Sequence, residues 1–214
     1  MKTSKIIDRL AFEKLLWNEN HRVIMGLDEV GRGCLVGPVV ASGVIFKPDT
    51  PLNAAVRDSK QIPFAERKIL AEWIKEHALF WTIQDASEKE IDQINILQAS
   101  MLAMLRCAED ANIKGYTPDH LLVDGNRFTA GSLIPYTCLV KGDDRSMSIG
   151  AASILAKVAR DEYMGKLDSE WPEYDWKNNV GYPSPKHKKA ILEYGITEYH
   201  RLSFKLENRV LRKK

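Results

Sequence analysis

The spacing of hydrophobic positions changes several times along the chain, which predicts alternating strands and helices. Short runs rich in β-branched and aliphatic residues predict five strands, at 23–27, 39–46, 79–84, 120–123 and 136–141. Apolar residues that recur every three or four positions predict helices over 5–18, 65–77, 88–111, 151–164 and 185–194. Strands and helices alternate after an initial hairpin, which is typical of an α/β fold: a mixed five-stranded sheet flanked by helices, with a C-terminal helical portion.

The third predicted helix has a recognisable start. Ser87 and Glu90 have the Ser-x-x-Glu spacing of a capping box, in which each residue satisfies a backbone N–H of the other. We expect this helix to run to about residue 111 and to be broken near Asn95.

Acidic residues stand beside glycines where three of the five predicted strands end. Asp28 and Glu29 follow the first strand, Asp124 the fourth and Asp143 the fifth. Ligands of open α/β sheets gather at the carboxyl ends of strands, and converging carboxylates are destabilising without a cation. With two divalent cations such groups form a phosphoryl-transfer site, so the pattern predicts bound Mg²⁺ or Mn²⁺.

Other interpretations of these acids stay open. Asp28 and Glu29 are adjacent and point to opposite faces of a flat strand, so one shared ion requires the backbone to bend, and the glycines that follow permit a bend. A polar strand end with a glycine turn is the alternative. Asp124 is also typical of a turn, and Asp144 leaves the assignment of Asp143 undecided.

Other motifs give weaker indications. Asp161 is predicted to form an ion pair on the helix over 151–164, whereas Ser153 and Lys157 either line the site or face the sheet. The histidines show no metal-binding spacing and are interpreted as surface or satisfied core residues, with His187 and His200 the best candidates for contact with phosphate. No phosphate-binding loop, dinucleotide fingerprint or nucleophile elbow is present.

Composition restricts the class of protein. The 214 residues are 44% hydrophobic and 28% charged, as in ordinary globular domains, and we expect a single domain over 1–214. No apolar run reaches the roughly 18–20 residues that span a membrane, and the N-terminus lacks the apolar core of a signal peptide. Three cysteines without a Cys-x-x-Cys spacing favour a reducing, cytoplasmic location.

The net charge of +2 conceals an asymmetry. Residues 186–214 contain nine Lys or Arg and three acidic residues, so the remainder is mildly acidic. A basic segment beside a carboxylate site is typical of a protein that binds a polyanion, and a solvated basic tail is the alternative. Tyr182, in a predicted turn before the basic helix, either stacks on a sugar or base or is an ordinary turn residue.

A series of short motifs runs along most of the chain. The motifs are DEVGRG at 28–33, GPVVA at 37–41, DSK at 58–60, EID at 90–92 with NIL at 95–97, VDGN at 123–126, KGD at 141–143, AASILAKV at 151–158, GYP at 181–183 and HRLSF at 200–204. Each motif is short, but their order and spacing are specific, and together they resemble those of the bacterial type 2 ribonucleases H from about residue 24 to 204. Type 3 enzymes usually have threonine at the position of Arg32, so we favour type 2.

The resemblance implies an RNase H-like sheet and two-metal hydrolysis of the RNA strand of RNA–DNA hybrids. It also implies incision 5′ of single ribonucleotides in duplex DNA, leaving 3′-OH and 5′-phosphate ends. Asp28, Glu29, Asp124 and Asp143 match the catalytic, metal-binding acids.

The resemblance also assigns substrate-binding residues. Gly31, Arg32 and Gly33 match the loop that meets the ribose 2′-OH and neighbouring phosphates, and Tyr182 matches the tyrosine that packs on the sugar at the RNA–DNA junction. Residues 181–214 are expected to form a basic, helical substrate-binding portion.

We further expect a monomer, and contact with a replication clamp is an open expectation. The chain departs from the family pattern at Ser184, Gly150 and Leu202, where threonine, alanine and a second arginine are more frequent. Two rival functions stay open: a metal-dependent 3′→5′ exonuclease, and a hybrid-binding module whose acids are structural.

Overall fold

A computed structural model of the protein describes residues 8–128 and 132–204. Its centre is one five-stranded sheet in the order β3-β2-β1-β4-β5. The pairings β1–β2 and β2–β3 are antiparallel, whereas β1–β4 and β4–β5 are parallel. The strands are β1 (Ile24–Val30), β2 (Val39–Ile45), β3 (Phe80–Ala86), β4 (His120–Asp124) and β5 (Tyr136–Leu139).

Helices cover both faces of the sheet. The long helices α3 and α5 pack on opposite faces, against β2 and β3 and against β1 and β2 respectively. They bury the aliphatic side chains of the central strands in two separate clusters, as expected for a layered α/β fold. The helices are α1 (Ala11–Asn18), α2 (Phe64–His77), α3 (Glu88–Ile113), α4 (Gly142–Arg145), α5 (Met147–Glu170), α6 (Trp176–Asn179) and α7 (Pro185–Tyr194).

The predicted fold class is therefore confirmed, and so are several local signals. The Ser87 hydroxyl accepts a hydrogen bond from the Glu90 N–H, and the Glu90 carboxylate accepts one from the Ser87 N–H, which completes the capping box. Asn95 interrupts α3 with a φ of 67°. Helix α7 begins and ends where its pattern predicts, with the Ser184 hydroxyl accepting from the His187 N–H.

Several boundaries differ from the prediction: the helix predicted at 151–164 is longer at both ends, and the first helix begins only at Ala11. Two of the differences concern the acids. Strand β1 continues to Val30, so the first two acids lie within the strand. Strand β5 ends at Leu139, and Gly142 begins the short helix α4. The left-handed conformation of Lys141, with φ of 55°, turns the chain between the two elements. Of the predicted N-terminal helix, residues 5–7 lie outside the described residues.

A third hydrophobic cluster joins the C-terminal part of the chain to the sheet domain. Tyr174 and Trp176 are almost fully buried there against Leu35 and Val36, which follow the glycine loop at 31–33. An isolated β-bridge links Val36 with His200. The described residues of the C-terminal portion, 181–204, therefore pack directly behind the loop and share its core.

Candidate active site

The parallel pairing of β1 with β4 brings two of the predicted acids together. Leu27 pairs with Val123, and Asp28 and Asp124 are the next residues of their strands. Parallel strands end at the same edge of a sheet, so both carboxylates lie at the carboxyl end. Asp28 is 7% exposed and Asp124 is half-buried.

Asp28 and Glu29 lie on opposite faces of β1. Their pairing with Ser42 and Ala41 of β2 is regular, so the bend permitted by the glycines does not occur within the strand. Asp28 lies on the side of α5, where Ser153 forms a hydrogen bond with it. Glu29 lines a cavity of about 290 Å³ together with Asp124 and residues of α3.

The fourth predicted acid reaches the site from a helix. Asp143 lies in the first turn of α4, with 8% of its surface exposed, and its carboxylate is repelled by that of Asp124. The Asp144 carboxylate instead accepts a hydrogen bond of 3.0 Å from the Gln61 side chain. The geometry thus favours Asp143 over Asp144, although the expectation that it ends a strand was wrong.

Burial and mutual repulsion disfavour the charged form of three of these acids. Burial raises the pKa of Asp28 well above its ordinary value, and the negative charges of Glu29 and Asp124 raise it further. Burial also raises the pKa of Glu29, despite the opposing effect of Arg32. Burial and repulsion by Asp124 raise the pKa of Asp143 to about 6. A cation would favour the ionised forms.

The donor set fits a hard divalent cation in its chemistry. All four candidates offer carboxylate oxygens, which Mg²⁺ and Mn²⁺ prefer. Among the described residues, however, no three Asp, Glu, His or Cys side chains are arranged to hold one ion. Asp28, Asp124 and Asp143 each accept a nearby backbone N–H, at 2.7, 2.7 and 3.0 Å.

The glycine loop and Tyr182 form the rim of the site. Gly31 has φ of +95°, and a Cβ added there would lie 2.2 Å from Nε of Arg160, so only glycine fits. A Cβ on Gly33 would lie 3.3 Å from the Tyr182 ring, which is therefore in close contact with the loop. No backbone hydrogen bond among the described residues uses the N–H of Arg32 or Gly33. Arg32 forms a 3.0 Å ion pair with Glu29.

Two fully buried arginines hold this rim in place, and sequence reasoning missed both. Arg160 donates hydrogen bonds to the carbonyl oxygens of Val36, Pro38 and Val180, at 2.9, 3.2 and 2.7 Å. It thereby joins the glycine loop to the turn that carries Tyr182. Arg201 donates to the Gly37 and Arg32 carbonyls. Each arginine lies within a motif of the resemblance or two residues beyond one, but neither has a local pattern that indicates burial.

Lys60 is the second omission. It follows Asp58 in the motif at 58–60, and although burial lowers its pKa, the carboxylates of Asp58, Asp28 and Asp143 raise it above the ordinary value. Its position in the DSK motif at 58–60, beside the acid Asp58, was the one sequence feature that could have indicated a role at the site. Lys60 is the cation whose charge acts on Asp143.

The structure tests the predictions about the two candidate phosphate-contact histidines and about the polar residues of α5. His187 and His200 are 0% and 2% exposed, so the prediction that they contact phosphate was wrong and the alternative, satisfied core residues, holds. Both rings pack against Tyr174 and Trp176. Asp161 does form an ion pair, with Arg67 at 3.0 Å and with Lys157 at 2.6 Å. Ser153 lies at the site and Lys157 serves this ion pair.

A mixed sheet with carboxylates at the carboxyl ends of β1 and β4 fits the class of metal-dependent phosphodiester hydrolases. Comparison with known proteins makes this specific. The sequence pattern of the family described as Ribonuclease HII matches residues 25–207. The ribonuclease HII of Christiangramia forsetii is 49% identical over 183 residues, which are 86% of this chain and 90% of that protein.

Solved structures agree. The ribonuclease H2 of Pyrococcus horikoshii OT3 superposes with a TM-score of 0.70 at 25% identity, covering 90% of this chain and 100% of that one. The ribonuclease HII of Archaeoglobus fulgidus, solved in complex with PCNA, has a TM-score of 0.69 at 24% identity, covering 86% and 95%. The chain belongs to the ribonuclease HII family.

Family membership confirms the predicted enzyme class. The protein is a metal-dependent ribonuclease H, an endoribonuclease for RNA–DNA hybrids. Among the described helices none has the length and apolar character needed to cross a bilayer.

Proposed function

We propose that this ribonuclease cuts 5′ of single ribonucleotides embedded in duplex DNA, as well as within the RNA strand of hybrids, and leaves 3′-OH and 5′-phosphate ends. The observation that carries the proposal is the position of the glycine loop, between the carboxylates and Tyr182. A lone ribonucleotide differs from its neighbours only in its 2′-OH. A loop with free N–H groups beside the acids suits the recognition of that group.

The carboxylates have the role of holding metal. Asp28 and Asp124 are the best candidates for direct ligands, with Glu29 and Asp143 completing the set. Two Mg²⁺ or Mn²⁺ ions bound there would supply an activated water and a stabilised leaving 3′ oxygen. No side-chain nucleophile is needed, and Lys60, close to Asp28 and Asp143, lessens the repulsion within the site.

The rim binds and orients the substrate. The N–H groups of Arg32 and Gly33 are available to the ribose and its phosphates, and Arg32 offers a guanidinium fork when it leaves Glu29. Tyr182, with 43% of its surface exposed, is placed to pack on the sugar at the junction. Arg160 keeps the loop and the tyrosine at a fixed separation.

The remaining assignments also belong to the proposal. Residues 181–214 form the substrate-binding portion of a single domain over 1–214, although residues 205–214, with five of the nine basic side chains, lie outside the described residues. The complex of the Archaeoglobus fulgidus relative with PCNA supports a clamp contact as a hypothesis. A monomeric, cytoplasmic protein stays a prediction.

The decisive experiment is cleavage of an end-labelled DNA duplex with one ribonucleotide, in Mg²⁺, Mn²⁺ or EDTA. We expect a single metal-dependent nick on the 5′ side of the ribonucleotide. The 3′-OH end is checked by extension with a polymerase and the 5′-phosphate by ligation. An all-DNA duplex and an RNA–DNA hybrid of the same sequence serve as matched substrates.

Three other outcomes would contradict the proposal, the third only in part. A ladder of mononucleotides from the ends would identify a 3′→5′ exonuclease. Binding of both substrates without cleavage in any metal would identify a hybrid-binding module. Cleavage of the hybrid but not of the single-ribonucleotide duplex would agree with ribonuclease H activity and contradict the proposed incision at single ribonucleotides.

A further inference from the structure

A chain of buried hydrogen bonds ends on the backbone of Tyr182. His187 and His200 lie side by side with 3.4 Å between their Nε2 atoms. The Trp176 indole N–H lies 3.0 Å from Nε2 of His187. On the other side of the ring, Nδ1 of His187 lies 2.9 Å from the Tyr182 carbonyl oxygen. The catalytic proposal uses neither histidine.

The donors around the two rings fix their tautomers. The Thr197 N–H donates to Nδ1 of His200 at 2.9 Å, so a neutral His200 carries its proton on Nε2. The indole of Trp176 can only donate, so Nε2 of His187 is an acceptor, which also receives the His200 N–H. A neutral His187 therefore carries its proton on Nδ1 and donates it to the Tyr182 carbonyl.

Burial keeps both rings neutral. Burial lowers the pKa of His187, and burial together with the neighbouring His187 lowers the pKa of His200 to about 4. At neutral pH each ring thus has one donor and one acceptor, and both are used. The network is a fixed structural device with a defined direction, from Thr197 to Tyr182.

The backbone before Tyr182 needs such support. Val180 and Gly181 both have positive φ, at 44° and 85°, and a β-branched residue rarely adopts this conformation. The Tyr182 N–H donates to Asn179 and its carbonyl accepts from the Ser184 N–H, at 2.9 and 2.8 Å. His187 adds a second donor to that carbonyl from beneath the turn.

We infer that His187 is a positioning residue for Tyr182, with His200 and Trp176 fixing its tautomer, and that it thereby supports cleavage at a single ribonucleotide more than cleavage of a long hybrid. The inference rests on the proposed role of Tyr182. Its ring makes close contact with Gly33, so a small shift of the turn displaces the ring from the loop that meets the 2′-OH. A long hybrid offers many equivalent cutting positions and depends less on one sugar contact.

Two isosteric variants separate the hydrogen bond from the packing. The amide nitrogen of His187→Asn lies near the position of Nδ1 and can still donate to Tyr182, whereas His187→Gln places its amide near Nε2 and cannot. The readout is the ratio of kcat/KM on the single-ribonucleotide duplex to kcat/KM on the hybrid. We expect His187→Gln to lower this ratio about tenfold, as for loss of one buried hydrogen bond, and His187→Asn to stay within about threefold of wild type.

A double-mutant cycle tests the route of the effect. Tyr182→Ala lowers the ratio by itself, and adding His187→Gln to it is expected to change the ratio no further. If His187→Gln fails to fold, the double variant Trp176→Phe with His187→Phe replaces two of the three buried polar rings with apolar ones and still removes the donor to Tyr182. Trp176→Phe alone is the matched control, because His200 still donates to His187, and it is expected to keep the wild-type ratio.

Each outcome has a distinct meaning. Equal losses on both substrates in His187→Gln, or additive losses in the cycle, would show a merely structural histidine and overturn the inference. A Tyr182→Ala variant with an unchanged ratio would instead overturn the proposed role of the tyrosine itself. A lowered ratio in Tyr182→Ala with an unchanged ratio in His187→Gln would overturn the positioning role alone.

Discussion

The site carboxylates and the histidine pair behind Tyr182 are two groups of buried ionisable side chains, and they differ in whether the neutral form suffices for their role. The carboxylates of Asp28, Glu29 and Asp143 have raised pKa values because they are buried and repel one another or Asp124. The rings of His187 and His200 have lowered pKa values because they are buried. In both groups the folded protein favours the neutral form.

The difference lies in what each group needs for its role. The histidines are neutral at pH 7 and their ring nitrogens already have partners. The carboxylates must be ionised to hold a cation, and that charge opposes folding until the cation is bound. Groups that perform their role in the neutral form favoured by burial indicate a structural part, whereas clustered carboxylates that must be charged indicate a bound cation.

The strongest test of this contrast is Asp28→Asn. We expect kcat to fall by about 10³-fold or more, because a ligand of the metal is lost. The free energy of unfolding should not decrease, since the raised pKa of Asp28 means that its charge is unfavourable in the folded state. The change is measured by hybrid cleavage and by urea denaturation.

Glu13→Gln is the matched control for that variant. Glu13 is also a buried carboxylate whose pKa is raised by burial, but it accepts hydrogen bonds from the Ser146 hydroxyl and the Ser148 N–H at the start of α5. Its activity should equal that of wild type. Wild-type turnover in Asp28→Asn, or equal losses in the two variants, would remove the distinction.

Metal should stabilise the carboxylate region alone. At a Mn²⁺ concentration of about 100 times Kd, binding to the folded state adds about 2.7 kcal/mol to the free energy of unfolding. For a chain of this size that raises Tm by roughly 5–10 °C. Differential scanning fluorimetry with Mn²⁺ and then EDTA measures the rise and its reversal.

Asp124→Asn provides the control for metal binding. This variant keeps an acceptor for the Gly142 N–H. It removes the negative charge of Asp124, the one acid that acts on all three of Asp28, Glu29 and Asp143. Most of the rise in Tm should therefore disappear. The same rise in this variant would place the bound metal elsewhere on the protein.

The smallest of these effects is the loss of stability at low pH that is due to the histidine pair. The folded-state pKa of His200 is about 4 against an ordinary value of 6.5, so its contribution to stability is complete above pH 6.5 and is lost as the pH falls towards 4. The difference in unfolding free energy between wild type and His200→Gln should fall by about 2 kcal/mol between pH 7 and pH 5.

The carboxylates change the unfolding free energy with pH in the opposite direction to His200. The His200→Gln variant is needed because it isolates the contribution of the histidine. A raised folded-state pKa, about 6 for Asp143, means that protonation relieves repulsion and that stability from this group increases as the pH falls. The two slopes partly cancel in the wild type. Urea denaturation of both proteins at pH 5, 6 and 7 isolates the histidine term, and a constant difference would contradict the lowered pKa.

Local signals predicted the elements well wherever the relevant interactions are short in range. The capping box at Ser87, the break at Asn95 and the extent of α7 depend on residues within one helical turn. The strands were found from runs of β-branched residues, but their ends were not. Strand β1 extends past the acids because β2 pairs with it to Val30, which is a long-range contact.

The candidate site was predicted only in part for the same reason. Its acids were recognisable because charged residues beside buried strands are rare and expensive, and their order matched a family pattern. The roles of Arg160 and Arg201 were not recognisable, since each binds carbonyl oxygens more than 100 residues away along the chain. The sequence left His187 and His200 open between satisfied core residues and phosphate contacts, because burial is a property of the folded chain.

The sequence alone therefore determined the elements, the class of site and the family, because periodicity, capping and motif order are local and are written along the chain. Tertiary structure decided which face Glu29 points to, that Asp143 rather than Asp144 faces Asp124, and which polar groups are buried. Those properties depend on the register of β1 against β2 and β4 and on the packing of α5 and the C-terminal portion. Pairing and burial join residues that are distant in sequence, and no local pattern records them.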